Sequence, residues 1–392
     1  HTPSGEKSCD GLAMALRAGL ALRDMEMVQF HPTGLLAGTH TRMTGTVLEE
    51  GLRGSGGYLL NGERERFMQN YDARLERATR DVVSRSMYAE MRAGRVTPNG
   101  GLYIAMAHLG PERVRREFKG MVERCADSGF DLAGGLVEVV PTAHYMMGGV
   151  EFNLDCSTEL HGLFVAGEDA GGVHGANRLG GNGVANSTVF GGVAGEAMAA
   201  WVKNERGGLE RAGALQERTS ALQERTSALQ DPDRDAIDAA LACCERPLRG
   251  TAAALGALEQ VREQLYELMW NKVGIIRERA DLESASAELR AIRDALDAHA
   301  IGANAERAFN LSWHDWMNLR SLVATSEVIT AAALARENSR GAHFRSDYPE
   351  AGPLERSAYT SVRGVAGALE VAMKPVAFTR VQPGQSLLGR AA

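Results

Sequence analysis

The chain has 392 residues, which is long enough for two or three domains with well-formed cores, and a formal net charge of −7. This acidic balance, without any basic run, argues against nucleic acid as a partner. No apolar run approaches the roughly 18 residues that a membrane-spanning helix needs. The five cysteines show no Cys-x-x-Cys spacing, so the composition predicts a reduced, cytoplasmic compartment and no metal site.

In chain order, the first part of the sequence predicts short helices separated by loops and strands. Apolar residues at helical spacing predict an amphipathic helix within residues 1–26, and the stretch Gln29–Asn61 is typical of loops. Helical patterns return over Arg80–Arg92 and Val114–Cys125, while Leu102–His108 is typical of a strand. Most of the 45 glycines lie before residue 215, so we expect loops rather than helices to carry the chemistry.

Two apolar stretches lead into loops with polar side chains. Val137–Pro141 predicts a strand that the proline stops, shortly before His144. Gly162–Glu168 predicts a second short buried strand, and the glycine-rich residues 174–183 follow it around Arg178. Because glycines let the backbone approach a ligand closely, the order of strand, glycine turn and helix predicts a binding loop.

The second half of the chain predicts mainly helix. Small residues from Gly183 to Trp201 indicate a helix that packs closely on a sheet or a flat ligand, or simply on the core. A duplicated heptad over residues 214–230 is typical of a solvated linker, since two repeats are too few for a coiled coil. Residues 235–338 predict a helical bundle, and the turn-rich tail after Ser346 predicts a wrap over the surface.

Several charged side chains form a candidate site for an anionic ligand. His31 precedes a proline, which favours an extended backbone, and His144 follows a predicted strand end. Arg178 offers a planar guanidinium that can bind a carboxylate through two hydrogen bonds. Arg80 and Asp81 open a predicted helix, where an acid suits the helix dipole. Each residue alone fits a structural role, but their combination beside glycine and proline indicates a binding site.

Five co-linear segments resemble the flavoprotein subunit of the succinate dehydrogenase/fumarate reductase family, which includes L-aspartate oxidase. The segments are Met25–Gly34, Glu50–Gly54, Arg80–Ser86, His144–Gly149 and His174–Gly180. The resemblance implies an α/β plus α fold. A partial, Rossmann-like FAD-binding domain would carry an inserted capping domain and be followed by a helical bundle domain.

The resemblance also implies a division of the chain into domains. No Gly-x-Gly-x-x-Gly opens the chain, so we expect the unit that holds the FAD pyrophosphate to be missing and the sequence to be N-terminally truncated. The expected parts are 1–26 and 144–207 as the remnant of the FAD-binding domain, 27–143 as the capping domain, 208–234 as a linker with the heptad duplication, 235–345 as the helical domain and 346–392 as a C-terminal tail.

By the same resemblance, individual residues acquire roles in catalysis. His31, His144 and Arg178 would hold the two carboxylates of a C4 dicarboxylate over the flavin, while hydride passes between flavin N5 and one substrate carbon. Arg80 would exchange a proton with the neighbouring carbon. The relay that serves this proton would consist of Arg80, Glu50 and Arg53.

One position departs from the family pattern at the substrate. The residue before the relay glutamate is usually threonine, and here it is Glu49, whose carboxylate would repel a dicarboxylate unless it points away. The loop from Gly34 to Glu49 is also longer than in the best-known members. We therefore expect Thr44 or Thr46 to take over the role of the missing threonine as a substrate-binding residue.

FAD is the cofactor that the resemblance implies. Asp10 and Glu168 would supply acidic contacts, and Asn182, Gly183 and Val184 would bind the cofactor, the last two through backbone groups at the isoalloxazine. Most relatives carry serine at the position of Gly183. Only its backbone N–H is therefore expected to serve here.

Three functions remain open. The first is interconversion of succinate and fumarate, with an electron partner in the form of an iron–sulfur subunit, membrane anchor subunits as further candidates, and a place in the cytoplasm or on the cytoplasmic face of the inner membrane. The second is L-aspartate oxidase, which the segment Arg340–Pro349 and the short tail favour. The third is a catalytically incomplete fragment that serves as a binding module.

Overall fold

The computed structural model describes residues 8–38, 41, 43–214, 234–249, 257–302, 306–383 and 385. Helices and two four-stranded sheets make up this described part. The helices are α1 Asp10–Arg17, α2 Gly51–Gly54, α3 Arg80–Arg92, α4 Pro111–Glu117, α5 Lys119–Ala126, α6 Asn182–Ala214, α7 Arg234–Glu245, α8 Ala257–Lys272, α9 Arg279–Ala298 and α10 Leu311–Ala335. The strands are β1 Leu22–Arg23, β2 Val28–Leu35, β3 Tyr58–Leu60, β4 Leu102–Ala105, β5 Leu136–Met146, β6 Gly149–Val150, β7 Ala358–Val365 and β8 Ala368–Pro375.

One sheet, with strand order β2-β5-β4-β3, is antiparallel throughout and is called the site sheet below. Its longest pairing runs from Val28 opposite Met146 to Leu35 opposite Val139. Helix α3 lies against β2, and the hydroxyl of Ser84 donates to the carbonyl of Phe30 at 3.2 Å. Fully buried side chains form the core beneath this sheet: Leu35, Leu48, Leu52, Leu59, Met68, Val83, Met87, Ile104, Val137 and Val139.

The other sheet, with strand order β6-β1-β7-β8, is closed by the C-terminal hairpin and is called the hairpin sheet. Strands β7 and β8 pair from Ala358 opposite Pro375 to Val365 opposite Ala368. The prediction of a turn-rich surface tail is therefore wrong, because the tail completes a sheet whose inner residues, such as Val362, are buried. Helices α1, α8, α9 and α10 share one core with this sheet.

The pairing of β2 with β5 contradicts two predictions, a loop from Gln29 and a strand end at Pro141. The stretch predicted as loop from Gln29 begins as strand β2, because it pairs with β5 from a distant part of the chain. Strand β5 also runs through Pro141 instead of ending there. The proline lies opposite the register shift between His31 and Gly34, where an irregular ladder tolerates a residue that cannot donate a hydrogen bond.

Other boundaries differ from prediction by short breaks. The helix predicted over Val114–Cys125 is two helices, α4 and α5, because Phe118 adopts φ −123° and ψ 37°. Strand β4 covers only the first four residues of Leu102–His108. The stretch Gly162–Glu168 forms no strand. It makes one bridge between Ser157 and Phe164 and then enters a 3₁₀ turn at Gly167–Asp169.

The predicted helices are largely confirmed. Helix α3 has the predicted bounds, α1 is shorter than residues 1–26, and α7 to α10 form the predicted helical region. Helix α6 continues to Ala214, which is past the expected start of the linker at residue 208. Apart from its first residue, the duplicated heptad lies outside the described residues. Within the described ranges, no helix is long and apolar enough to cross a bilayer.

Candidate active site

The two histidines lie together on the site sheet. His31 on β2 is opposite Thr142 on β5, so its ring shares a face with His144, and the ring centroids are 5.4 Å apart. His31 is 1% exposed, and its Nδ1 lies 3.3 Å from the backbone N–H of Thr33. Burial, reinforced by the charge of Arg80, holds the pKa of His31 well below its ordinary value. The ring is therefore neutral at neutral pH and able to donate one hydrogen bond.

The three predicted relay residues form a continuous hydrogen-bonded chain. Nη2 of Arg80 donates to Oε2 of Glu50 at 2.8 Å, and Nη2 of Arg53 donates to Oε1 of the same carboxylate at 3.2 Å. Nη1 of Arg53 also donates to the carbonyl of Glu76 at 2.6 Å. The side chain of Glu50 is 42% exposed, whereas those of Arg53 and Arg80 are 1% and 9% exposed. The chain thus leads from solvent to the buried Arg80.

The electrostatics of this chain keep the carboxylate charged. Burial opposes ionisation of Glu50, but hydrogen bonds and charge from Arg80 and then Arg53 hold its pKa below the ordinary value. Burial lowers the pKa of Arg53. Glu50 is therefore an ionised acceptor placed between two guanidinium groups.

Arg178 lies in the arginine loop, defined here as residues 172–181, which leads directly into α6. Its guanidinium carbon is 4.2 Å from the centroid of the Tyr145 ring, and its Nη1 donates to Oε1 of Gln29 at 3.2 Å. Burial, together with the charge of Arg80, lowers the pKa of Arg178. Arg178 is thus a buried cation held over an aromatic face.

Gln29 is the site residue that sequence reasoning missed. It is 1% exposed, and its Oε1 accepts hydrogen bonds from both Arg80, at 3.0 Å, and Arg178, at 3.2 Å. The available signal was a buried-strand position two residues before His31 that holds an amide instead of an apolar side chain. Gln29 joins the relay to the arginine loop.

Several buried polar atoms at the site lack a hydrogen-bond partner in the described structure. They are Nε of Arg53, Oγ1 of Thr142, Nε of Arg178 and Oδ1 of Asn186. Buried polar groups are normally paired, so such a cluster is typical of groups that a bound ligand completes. Nε of Arg178 is suited to an anion, whereas Oδ1 of Asn186 accepts from a donor.

The predicted cofactor residues lie at the edge of this site. Asp10 opens α1, and a Cβ added at the next residue, Gly11, would lie 2.1 Å from Oδ2 of Asp169, so the start of α1 lies against the acid that follows Glu168. Oε1 of Glu168 accepts a hydrogen bond from the backbone N–H of Met146 at 3.0 Å. Met146 is the last residue of β5, the strand that carries His144. The acids therefore gather where β5 ends.

The first turn of α6 carries the other predicted cofactor residues, Asn182, Gly183 and Val184. A Cβ added at Gly183 would lie 2.5 Å from Nη2 of Arg178, so this turn lies directly against the guanidinium. Val184 is 75% exposed, and Asn186, one turn further, carries the unpartnered Oδ1. An open helix N-terminus and an unpaired buried acceptor fit a polar, flat ligand such as the isoalloxazine of FAD.

The two threonines expected to replace the missing clamp residue make hydrogen bonds with nearby backbone groups. The hydroxyl of Thr44 donates to the carbonyl of Gly38 at 2.6 Å, and the carbonyl of Thr46 accepts from Leu35 at 2.8 Å. Within the described residues, neither side chain bonds to His31 or Arg178. Glu49 is exposed to solvent, as we expect for a carboxylate that does not repel a dicarboxylate in the site.

Comparison with known protein families finds two matches along the chain. The model of the FAD binding domain matches residues 2–184, and the model of the fumarate reductase flavoprotein C-terminal region matches residues 262–387. The fold and the two matches define an FAD-binding flavoprotein with a C-terminal helical region. The chain belongs to the succinate dehydrogenase/fumarate reductase flavoprotein family, and the predicted fold class and cofactor are confirmed.

Individual relatives agree with this assignment. One subunit of the fumarate reductase (CoM/CoB) from Methanothermobacter marburgensis is 40% identical over 89% of this chain and 58% of its own length. L-aspartate oxidase from Synechocystis sp. is 30% identical over 91% of this chain and 60% of its own length. A variant E. coli quinol fumarate reductase flavoprotein superposes with a TM-score of 0.78 and 29% identity, covering 97% of this chain and 64% of that one. The chain thus spans about three fifths of the length of these relatives.

Proposed function

We propose that this flavoprotein interconverts succinate and fumarate, with Arg80 exchanging the proton at one substrate carbon. The observation that carries the proposal is the hydrogen-bonded chain from Arg53 through Glu50 to Arg80, which ends beside His31 and Arg178. A proton path that stops at two buried cations and a neutral histidine suits an anionic substrate that gains or loses a proton at carbon.

Substrate binding follows from the charges of the site. Arg178 has an unpartnered, buried Nε and an additional Nη2, which together can bind one carboxylate through two hydrogen bonds. The neutral His31 and the adjacent His144 can donate to the second carboxylate. Because the site is buried, these charged hydrogen bonds are stronger than they would be in water.

The proton step is assigned to Arg80 because of its partners. A free arginine has a pKa above about 12, so its guanidinium gives up a proton only to a strongly basic atom such as a developing carbanion. Glu50, which is ionised, partly exposed and 2.8 Å away, can then take up a proton from solvent and pass it to Arg80, which restores the guanidinium. Asp10, Glu168 and the first turn of α6 would hold FAD, which would supply or accept the hydride when bound.

Electron partners extend this proposal. The E. coli neighbour is named for a quinol, and we infer an iron–sulfur subunit with membrane anchor subunits as the route to such an acceptor. With such partners, we propose that the protein acts in the cytoplasm or at the cytoplasmic face of the inner membrane. Co-purification of the protein with a subunit that contains iron and sulfide would support the inference, and isolation of an active flavoprotein that reacts directly with oxygen would contradict it.

The first prediction tests the proton donor in the flavin-loaded protein. Replacing Arg80 by Gln should lower succinate and fumarate turnover by about 10³-fold, within the range of a lost general acid. The affinity for malonate, an unreactive dicarboxylate, should change much less, because His31, His144 and Arg178 stay in place. Turnover is measured with an artificial electron acceptor or donor, and malonate binding by perturbation of the flavin spectrum.

Arg92→Gln is the matched control, since Arg92 lies at the other end of α3 from the site. It should leave both turnover and malonate affinity unchanged. Full turnover in the Arg80→Gln protein would remove the assignment of the proton donor. Formation of iminoaspartate from aspartate with oxygen, without any succinate turnover in the unchanged protein, would instead establish L-aspartate oxidase.

A further inference from the structure

We propose that Gln29 is a positioning residue that holds the proton-donating Arg80 and the carboxylate-binding Arg178 at a fixed spacing. The inference rests on the proposed function, because the two arginines act on one substrate only if that function holds. It adds a residue that lies behind the substrate-binding groups and acts through them. The juxtaposition is specific, since one amide group reaches both arginines.

The hydrogen bonds of Gln29 determine which way its amide faces. Nε2 donates to the backbone carbonyl of Arg178 at 2.6 Å and lies 3.4 Å from Oδ1 of Asn177. Both of those atoms only accept hydrogen bonds, so they require the NH₂ end of the amide. Oε1 must therefore face Nη1 of Arg80 and Nη1 of Arg178, and the reversed amide would place donors against donors.

Charge explains why a shared acceptor is needed at this place. Arg80 and Arg178 are both largely buried, and the charge of Arg80 contributes, after burial, to the lowered pKa of Arg178. Glu50 offsets Arg80 on one side, but in the described residues no carboxylate forms an ion pair with Arg178. Oε1 of Gln29 provides both guanidiniums with a partial negative charge at the point where they approach each other.

A neutral amide also leaves the arginines available to substrate. A carboxylate at position 29 would form two ion pairs and cancel part of the positive charge that attracts a dianion. Glutamine holds the geometry without that cost. The position is consistent with this role, because Gln29 lies opposite Tyr145 of β5, next to the register shift between Gln29 and Phe30, and its amide extends from this paired segment.

The second prediction uses two substitutions that separate geometry from charge. Gln29→Met keeps the length of the side chain but removes the shared acceptor, so kcat for fumarate reduction should fall by about tenfold or more. Gln29→Glu keeps the acceptor that the two arginines share, but it adds a charge and replaces the Nε2 donor to the carbonyl of Arg178 by an oxygen. The malonate Kd and the KM should therefore rise by about tenfold or more, while kcat falls less than in the Met variant, because the shared acceptor remains. Flavin content and Tm are measured for both proteins.

Ser84→Ala is the control, because it removes a buried hydrogen bond between α3 and β2 without touching either arginine. It should show wild-type kcat and malonate affinity. If Gln29→Met also has wild-type kcat and Kd, or if both Gln29 variants change only Tm, the positioning role is overturned. The proposed function itself is overturned if the wild-type protein neither turns over succinate or fumarate nor binds malonate. That result differs from an active protein whose kcat and Kd do not depend on Gln29.

Discussion

At the scale of single residues, the position of Arg178 depends on the absence of a side chain at Gly183. A Cβ there would lie 2.5 Å from Nη2 of Arg178 and 3.0 Å from the ring of Tyr145. The guanidinium is confined between the aromatic ring, Gln29 and the first turn of α6. Gly183 therefore leaves room for Arg178, a role distinct from the backbone contact to the cofactor that the sequence predicts.

The third prediction follows from this contact. Gly183→Ala should displace the guanidinium of Arg178 and weaken malonate binding by about tenfold, the effect of losing one charged hydrogen bond. Gly120→Ala is the control, because a Cβ at this glycine of α5 would meet open space and alanine favours a helix. The malonate Kd and the flavin content are measured in both variants and in the unchanged protein. An unchanged Kd in the Gly183 variant would show that the guanidinium moves aside without consequence.

At the scale of elements, local pattern predicted the helices better than the strands. The bounds of α3 follow from helical spacing within its own sequence, and they were predicted correctly. Strands β2 and β5 exist because they pair with each other across more than one hundred residues, and a proline in each conceals the pattern. The hairpin of β7 and β8 was also missed, although its two strands are adjacent in the chain; β7 also pairs with the short strand β1.

In the candidate site, too, local sequence motifs predict some residues, whereas others depend on contacts between distant parts of the chain. His31, Glu50, Arg53, Arg80 and Arg178 were found through sequence motifs, and the structure brings them together as the resemblance implied. The role of Gln29 could not be found in this way. Its partners Arg80 and Arg178 are 51 and 149 residues away, so the shared hydrogen bond exists only once the strand, the helix and the loop have met.

Helix α3 is attached to the arginine loop by one side-chain hydrogen bond. Nδ2 of Asn177 donates to Oδ1 of Asp81 at 2.8 Å, and each residue is the direct neighbour of a site arginine. Asp81 lies in the first turn of α3, where its charge also suits the helix dipole. This bond therefore sets the distance between the start of the helix and the loop.

The fourth prediction separates these two roles of Asp81. Asp81→Ala should increase amide hydrogen exchange in residues 174–181, because the loop loses its bond to α3. Glu112→Ala removes an acid from the first turn of α4 and serves as the control for the dipole effect alone. It should leave exchange in the arginine loop unchanged. Equal exchange in the two variants would mean that the Asn177 bond does not order the loop.

At the scale of the whole molecule, a buried layer of charged side chains joins the helical region to the segment before β2 and to strand β7. Glu26, fully buried, pairs with Arg336 of the segment after α10 and accepts from the hydroxyl of Thr360 at 2.6 Å. Nη1 of Arg277 donates to the carbonyl of Glu26 at 2.8 Å and contacts Nδ1 of His343 at 2.7 Å. Removing one member of such a network leaves the others buried and unpaired, so this layer specifies how the parts assemble.

The same layer is continuous with the active site. The backbone N–H of Ala342, next to His343, donates to the carbonyl of Ala176 in the arginine loop at 2.9 Å. Nη1 of Arg85 on α3 donates to the carbonyl of Gly341 at 3.1 Å. The segment whose sequence favours L-aspartate oxidase thus has a structural role here, because it braces both the loop and the helix that carry the site arginines.

Asp24 makes this layer sensitive to pH. Burial, reinforced by the charge of Glu26, raises the pKa of Asp24 from 3.8 to about 6, even though it lies 3.3 Å from Arg336. A raised pKa means that the folded state holds the proton more tightly than the unfolded state does. The contribution of Asp24 to stability is therefore greatest below about pH 4 and is lost as the pH rises towards 6.

The fifth prediction is that Asp24→Asn flattens this pH dependence. Asparagine cannot ionise and suits the positive φ of 52° at this position, while Arg336 keeps Glu26 as a partner. Between pH 4 and 6, the free energy of unfolding of the variant should fall by roughly 2 kcal/mol less than that of the unchanged protein. Urea unfolding of the flavin-loaded proteins across this range measures the difference. Asp127→Asn, which removes an exposed carboxyl at the end of α5, should give a curve parallel to wild type, and a parallel curve for Asp24→Asn would show that this carboxyl is already ionised in the folded state at pH 4.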